Sequence, residues 1–396
     1  MERILRLLAS VAMALMACAC MPACGDGAAG PDDYSAGPAV APAEGEAGQP
    51  WSIHGFNFTA WWHDDFLGPE AMAALDGIAA AGAGWVAVVP TWYMEDPGAS
   101  GIAPEFRGRS ATEASVARAV DEAHARGLKV MLKPHVDVKD GSWRGEIEPE
   151  DPEAWFDSYR EMLAVYALLA RRHGVEMLCV GNELDSMAGP SHNSQWALTI
   201  AATRMRYRGP LAYGASIDSY RDITFWPLLD YMGLSFYYPL SDAAQPTREE
   251  LVRGWTGYSG YYDEGADWLD RIEQWQGHWQ KSVIFTEIGY RSVDHAARSP
   301  WDYGSEGPYN GAAQANAYQA AFDVLADRPW LAGIFWWNWS ARADACGSGN
   351  TDYTICGKPA EEVVRRASGK SPCPPGCGPA GFAWSYPGAV NAGQEP

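Results

Sequence analysis

The chain has 396 residues, with 50 acidic against 29 basic side chains and a formal charge of −21. Such a surface is repelled by nucleic acid and by anionic lipid, which excludes both as expected partners. The 47% hydrophobic and 20% charged residues suffice for a large core, and 19 Trp, 19 Tyr and 11 Phe suit flat, neutral ligands such as sugars.

The chain begins with basic Arg3 and Arg6, followed by an apolar run over Leu7–Ala17. That run is too short to span a bilayer, which needs about 20 residues, so 1–17 reads as an export signal. It ends in Leu15-Met16-Ala17-Cys18, which resembles a bacterial lipoprotein processing site with Cys18 as the lipidated residue. A plain signal peptide cut near Ala23 is the other reading. In 18–50, Ala, Gly and Pro dominate, the composition of a flexible tether. The expected location is therefore the cell envelope or surface, or the medium, with a lipid anchor as the sole membrane contact.

From Trp51 onward, short apolar runs alternate with amphipathic stretches. Strands are predicted at Ile53–Phe58, Trp85–Val89, Lys129–Lys133, Met177–Gly181, Leu211–Gly214, Tyr231–Phe236, Val283–Thr286 and Gly333–Trp337. Helical patterns cover Thr112–Arg126, Pro152–His173, Ser194–Tyr207, Asp263–Trp279 and Gln314–Ala326. Gly82, Gly127, Gly174 and Gly209 stand where helices should stop. Alternation of this kind predicts an α/β fold, a single closed (β/α)₈ barrel over 51–368. An open doubly wound sheet is the alternative, but Asn57-Phe58-Thr59-Ala60 is unlike the glycine-rich phosphate loop such sheets carry. Residues 369–396 read as a Pro/Gly-rich extension.

Cysteine usage agrees with export. Cys346 and Cys356 flank a Gly-Ser-Gly-Asn turn, and Cys373 and Cys377 bracket Pro-Pro-Gly, so both pairs are expected as disulfides. Cys179 lies in an apolar run and reads as a buried, inert thiol. No His stands near either pair, and no metal site is expected.

In a barrel, polar residues just past the carboxyl ends of strands face the active site. Those positions hold Asn57, Trp61, Trp62, Lys133, His135, Asp137, Asn182, Glu183, Tyr237, Tyr238, Glu287, Trp336 and Trp339. Glu183 and Glu287 close the fourth and seventh strands, on opposite sides of the mouth. Glycosidases need such a pair, one to protonate the leaving oxygen and one to attack or to activate water.

Asn182-Glu183 and Glu287 in this order resemble the acid/base and nucleophile of the clan A retaining glycoside hydrolases. The finer pattern resembles glycoside hydrolase family 113. It is carried by HGFNFTAWW (54–62), GLKVMLKPHVD (127–137), WRGEI (143–147), GNELD (181–185), YYPL (237–240), FTEIGYRS (285–292) and GKPAEEV (357–363). The resemblance implies a (β/α)₈ barrel, net retention, no cofactor and β-1,4-mannan or glucomannan as substrate. It assigns Glu287 as nucleophile and Glu183 as acid/base, with Asn182 gripping the sugar 2-hydroxyl and Tyr237 bonded to Glu287. Trp62, Trp143, Trp336 and Trp339 are expected as sugar platforms, with plain core packing as their other reading. Asn57, Lys133 and His135 complete the expected contacts, the latter two with a supporting role beneath the site as the alternative. The sequence departs from the pattern in its Cys346–Cys356 loop and tail, and no arginine closes the second strand, where many clan members carry one.

The expected protein is thus a monomeric retaining endo-β-1,4-mannanase acting on neutral β-linked polysaccharide or oligosaccharide. A β-1,4-glucan-active or exo-acting relative, or a surface lipoprotein that binds glycans without cleaving them, are the alternatives.

Overall fold

The computed structural model describes residues 51–370. The leader, Cys18, the tether, the Cys373 and Cys377 pair and nearly all of the extension lie outside the described residues. Eight parallel strands close a barrel in chain order. They are β1 (Ile53–Thr59), β2 (Trp85–Val89), β3 (Lys129–Leu132), β4 (Met177–Asn182), β5 (Leu211–Ala215), β6 (Tyr231–Phe236), β7 (Val283–Ile288) and β8 (Leu331–Ser340). Parallel strands covered on both faces need no polar alternation, which is why β2 reads Trp-Val-Ala-Val-Val and is buried throughout.

Ile53, Ala87, Met131, Met177, Cys179, Ala212, Ile284 and Phe335 pack together as one apolar cluster that fills the barrel. Cys179 is thus a packed core side chain, its thiol pushed up by burial. β1 and β8 approach most closely at Gly333, where a Cβ would overlap the Ile53 carbonyl.

The main helices are α1 (Pro69–Ala80), α2 (Glu113–Ala125), α3 (Pro152–Arg172), α4 (Asn193–Arg206), α5 (Arg248–Gly257), α6 (Trp268–Trp279), α7 (Gly311–Leu325) and α8 (Pro359–Ala367). Their starts follow local chemistry. Thr112 and Asp151 accept the amides of Ser115 and Ala154 at 3.1 Å each, capping α2 and α3. Thr247 and Glu250 close a reciprocal capping box on α5. Gly82, Gly127 and Gly174 take positive φ beyond the ends of α1, α2 and α3, as a left-handed stop requires; Gly209 does not.

The structure differs from the sequence reading at α6. Asp267 accepts the amide of Asp270 at 2.9 Å and starts the helix at Trp268. Of the residues assigned to its first turn, Glu264–Ala266 instead pair with Tyr258–Ser259 in a small hairpin. Two further short strands, Thr91–Met94 and His135–Val138, pair in parallel directly beyond β2 and β3. They continue those chain segments above the barrel rim. Cys346 and Cys356 are joined by a disulfide.

Candidate active site

Glu287 lies on β7 where the pairing with β6 shifts register between Phe285 and Glu287. It is buried within a set of polar groups contributed by three other strands. Lys133, immediately after β3, forms an ion pair with Glu287 Oε1 and donates to Asn57 Oδ1 at 3.1 Å. Asn57 on β1 in turn donates to the Thr286 carbonyl at 3.0 Å, closing the network back on β7. Tyr237, immediately after β6, donates from Oη to Glu287 Oε2 at 2.9 Å. Burial, then the neighbouring Glu287 charge, pushes that phenol well above its usual range, so it stays a neutral donor.

His135 stands with Nε2 3.7 Å from Glu287 Oε1. Burial first, then the charges of Arg144 and Lys133, holds its imidazole well below its usual range and therefore neutral. The ring lies parallel to that of Trp337, with centroids 6.1 Å apart. Lys133 Nζ is 5.4 Å from the centre of the same indole.

Glu183 follows β4 directly and takes a left-handed backbone, φ 51. Its amide bonds the Gly214 carbonyl at 2.7 Å, and the next amide, of Leu184, bonds Tyr213 Oη at 3.1 Å. Those two bonds hold a conformation that a side chain with a Cβ seldom adopts, at a cost of about 1–3 kcal/mol. Burial, then the charge of Glu287, pushes the Glu183 carboxyl up to about 7, against the opposing pull of Arg144 and Lys133. Arg144 Nη1 lies 3.2 Å from Glu183 Oε2, while its Nε donates to Asp137 Oδ1 at 3.0 Å. The pair therefore has the division that glycoside hydrolysis needs: one carboxyl that holds a proton near neutrality, the other bonded by a cation and a phenol.

Asn182 is buried, yet among the described residues neither polar atom of its side chain has a hydrogen-bond partner. It precedes Glu183 directly in the chain. Trp62 and Trp143 are exposed, Trp143 next in chain to Arg144. They remain available as platforms.

Four expectations need correction. Trp336 is fully buried on the outer face of β8, stacked on Tyr318 at 4.0 Å with its indole N–H aimed at His54. Trp339 is buried against Phe56, 5.1 Å between ring centres, with Gly77 of α1 beneath it. Neither meets sugar. The ring that faces the site is Trp337, which the sequence places at the same strand end but which was not chosen as a platform. Asn57 is fully buried and its side chain is satisfied by the protein, so it supports Lys133 and contacts no substrate. Lys133, likewise fully buried, holds Glu287 from beneath, and it supplies the cation that no arginine after β2 provides. Arg144 was also missed, though it stands inside the segment Trp-Arg-Gly-Glu-Ile; only its bonds to Asp137 and Glu183 mark it. Among the described residues, no three His, Cys, Asp or Glu side chains converge as a metal site.

The family model described as Glycoside Hydrolase Family 113 matches residues 55–358. A family 113 β-mannanase from Alicyclobacillus acidocaldarius, solved in complex with ManMIm, is 32% identical. The alignment covers 80% of this chain and 96% of that one, with a TM-score of 0.70. Two further structures of family 113 β-1,4-mannanase are 26% and 27% identical, each with a TM-score of 0.69. They cover 80% and 81% of this chain, and 98% and 99% of their own. Among curated proteins, none matches the chain.

Proposed function

The chain belongs to glycoside hydrolase family 113, and on that premise we propose that it is a retaining endo-β-1,4-mannanase acting on mannan or glucomannan. What carries the reading is the contrast between Glu183, pushed up to about 7, and Glu287, bonded by Lys133 and Tyr237. The β-mannanase activity printed for the three similar structures supports the substrate class.

In the first step a Glu287 carboxylate oxygen bonds the anomeric carbon as the glycosidic C–O bond breaks. Glu183 gives its proton to the departing oxygen. In the second step Glu183, now ionised, takes a proton from water, and the hydroxide attacks the same carbon and releases Glu287. In this reading Asn182 bonds the 2-hydroxyl of the sugar being cleaved, and Trp337 stacks beneath it. Lys133 and Tyr237 hold Glu287 in position in both steps. Arg144 restrains the rise in the affinity of Glu183 for its proton.

The enzyme is further proposed to act as a monomer, exported by residues 1–17 and anchored through lipid on Cys18. Mass spectrometry of the mature amino terminus reads that point, and an unmodified terminus near Ala23 would replace it with simple secretion. For the activity, the full mature chain is incubated with mannan, glucomannan, cellulose and xylan, and the products are sized over time. Early release of mixed oligosaccharides from mannan is the expected result. Release of a single small sugar from the outset would make the enzyme exo-acting, and release from cellulose alone would make it a glucanase.

A further inference from the structure

Among the described residues, exposed Phe106 and Trp143 stand singly, which is ordinary for a protein surface, and Trp61 and Trp62 are chain neighbours after β1. One group is larger. Tyr261, Tyr262, Trp301 and Tyr303 are between 37% and 78% exposed and come from two connections on the catalytic face. Tyr261 and Tyr262 tip the small hairpin before α6, while Trp301 and Tyr303 belong to the loop between β7 and α7. The Tyr262 and Trp301 ring centres are 5.5 Å apart, their planes inclined at 58°.

The group is held firmly. Tyr262 Oη donates to Asp218 Oδ1 at 3.2 Å, on the connection after β5. The Tyr261 amide bonds Asp242 Oδ2 at 2.9 Å, and Tyr261 Oη lies 2.6 Å from Ser299 Oγ. Arg298 stands 4.6 Å over the Tyr261 ring and covers one of its faces. Rings fixed this way lose little freedom when a ligand stacks on them.

It is also continuous with the site. Tyr353 Oη donates to the carbonyl of Pro300, the residue before Trp301, at 2.6 Å. The Tyr353 ring packs edge-on to Tyr237, 6.4 Å between centres, and Tyr237 bonds Glu287. A line of contacts therefore leads from Glu287 through Tyr237 and Tyr353 to the residue before Trp301.

We propose that Trp301 and Tyr262 form a distal sugar-binding subsite that holds a polysaccharide chain several units from the bond being cut. The inference rests on the glycoside hydrolase reading above, and it adds the requirement for an extended substrate. The occupant is a neutral glycan: flat rings stack on the apolar faces of sugars, Asp218 beside Tyr262 offers an acceptor to hydroxyls, and the chain as a whole carries a charge of −21 that disfavours an anionic polymer. A second copy of the chain is the poorer occupant, since each carries a charge of −21.

The test compares Trp301→Ala, Tyr262→Ala and the double variant with the parent enzyme on polymeric mannan and on a short manno-oligosaccharide. For the double variant, kcat/KM on polymer should fall by about five- to tenfold or more, the scale of truncating one well-packed interface aromatic, with KM carrying the change. On the short substrate it should stay within about twofold, and Trp301→Phe should recover much of the loss. Equal effects on both substrates, or none on either, would overturn the subsite. Electrophoresis through gels containing soluble glucomannan, galactomannan or hydroxyethylcellulose separates this from the activity itself. Loss of retardation in the double variant supports the subsite even if the parent cuts no mannan, an outcome that would sink only the mannanase reading. Unchanged retardation, or a parent dimer that the substitutions turn into monomer, would make the patch something other than a glycan site.

Discussion

Arg144 and Glu183 meet at 3.2 Å, and the same guanidinium grips Asp137 with its other edge. Arg144 thereby becomes a fixed charge beside the proton donor. It favours the ionised form of Glu183, opposing burial and Glu287, which favour the protonated one. Removing the charge must raise the affinity of Glu183 for its proton. In Arg144→Gln the alkaline limb of the activity profile, where the acid loses its proton, should move above the parent's limb near pH 7. kcat should fall by about tenfold or more, because a Glu183 that holds its proton more tightly gives it less readily to the departing oxygen in the first step. Arg144→Lys keeps the charge but not the fork, so it should restore the limb more fully than the rate. A limb that stays in place in Arg144→Gln would remove Arg144 from this role.

Stability should depend on Glu183 in the opposite sense to activity. Burial and the charge of Glu287 raise the pKa of its carboxyl from the ordinary 4.5 to about 7. Below about pH 4.5 both folded and unfolded states hold the proton and nothing is lost. Between there and about pH 7 the unfolded chain ionises while the folded one does not, so stability falls as pH rises. Above that window the cost is constant, on the order of a few kcal/mol at 1.36 kcal/mol per unit. Glu183→Gln abolishes it. The variant should match the parent in thermal midpoint at pH 4 and exceed it at pH 8. A parent advantage at pH 8 would contradict the buried-charge account.

The tryptophans of β8 divide by role, and two alanine variants separate them. Trp336→Ala opens a cavity between β8 and α7, where the ring stacks on Tyr318, and should cost about 3–5 kcal/mol of stability. Trp337→Ala removes a half-buried ring that lies against His135 and Lys133. It should change the thermal midpoint far less and lower kcat/KM by about tenfold or more through misplacement of those groups and of substrate. Thermal melts and kinetics on the same preparations read both, and the reverse ranking would return Trp336 to the site.

Why the sequence pointed to the wrong tryptophans is physical. Alternation places successive residues of a strand on opposite faces, but only while the register is regular. Phe56 pairs with Trp336 and Phe58 with Trp339, so three steps of β8 oppose two of β1. The extra residue puts Trp336 and Trp339 on the same outer face and leaves Trp337 turned inward. The barrel itself was legible because parallel strands are continuous apolar runs, and both glutamates were legible because they end such runs. The shift between Phe285 and Glu287 moved neither. Arg144 was not legible: its role depends on a loop that folds back over Glu183, and no periodicity records that. The helix α6 was read as starting too early, at Asp263, although Gly265, which takes positive φ, and the cap Asp267 mark the later start.

The disulfide loop matters to the site through Tyr353, which lies inside it and packs on Tyr237. Closing a loop with a sequence separation of 10 stabilises by about 2–3 kcal/mol in the chain-entropy model. The double variant Cys346→Ser, Cys356→Ser should therefore melt lower by that amount and lose part of its activity on polymer. Reductant should lower the parent to the same midpoint and leave the variant unchanged. An unchanged parent midpoint under conditions shown to free both thiols would dismiss the contribution.

The assignment of the two glutamates can be read from product stereochemistry. With Glu183→Ala, a substrate bearing an activated leaving group needs little protonation, so Glu287 can still form the covalent intermediate on the α face. Its breakdown is slowed because water has lost its base. Azide needs no base and attacks from the β face, giving a β-glycosyl azide with net retention. With Glu287→Ala the covalent step is lost on every substrate, and the space left on the α face admits azide directly. The product is then the α-glycosyl azide, with Glu183 still present as acid. Lys133 strengthens the contrast, since in Glu287→Ala a fully buried cation remains to draw the anion into the vacated position. The rescued rate of Glu287→Ala should consequently fall when Lys133→Met is added, whereas the same addition to Glu183→Ala should impair formation of the intermediate itself. Anomers found in the opposite arrangement would exchange the roles of Glu183 and Glu287, and α-azide from both variants would end the case for a covalent intermediate.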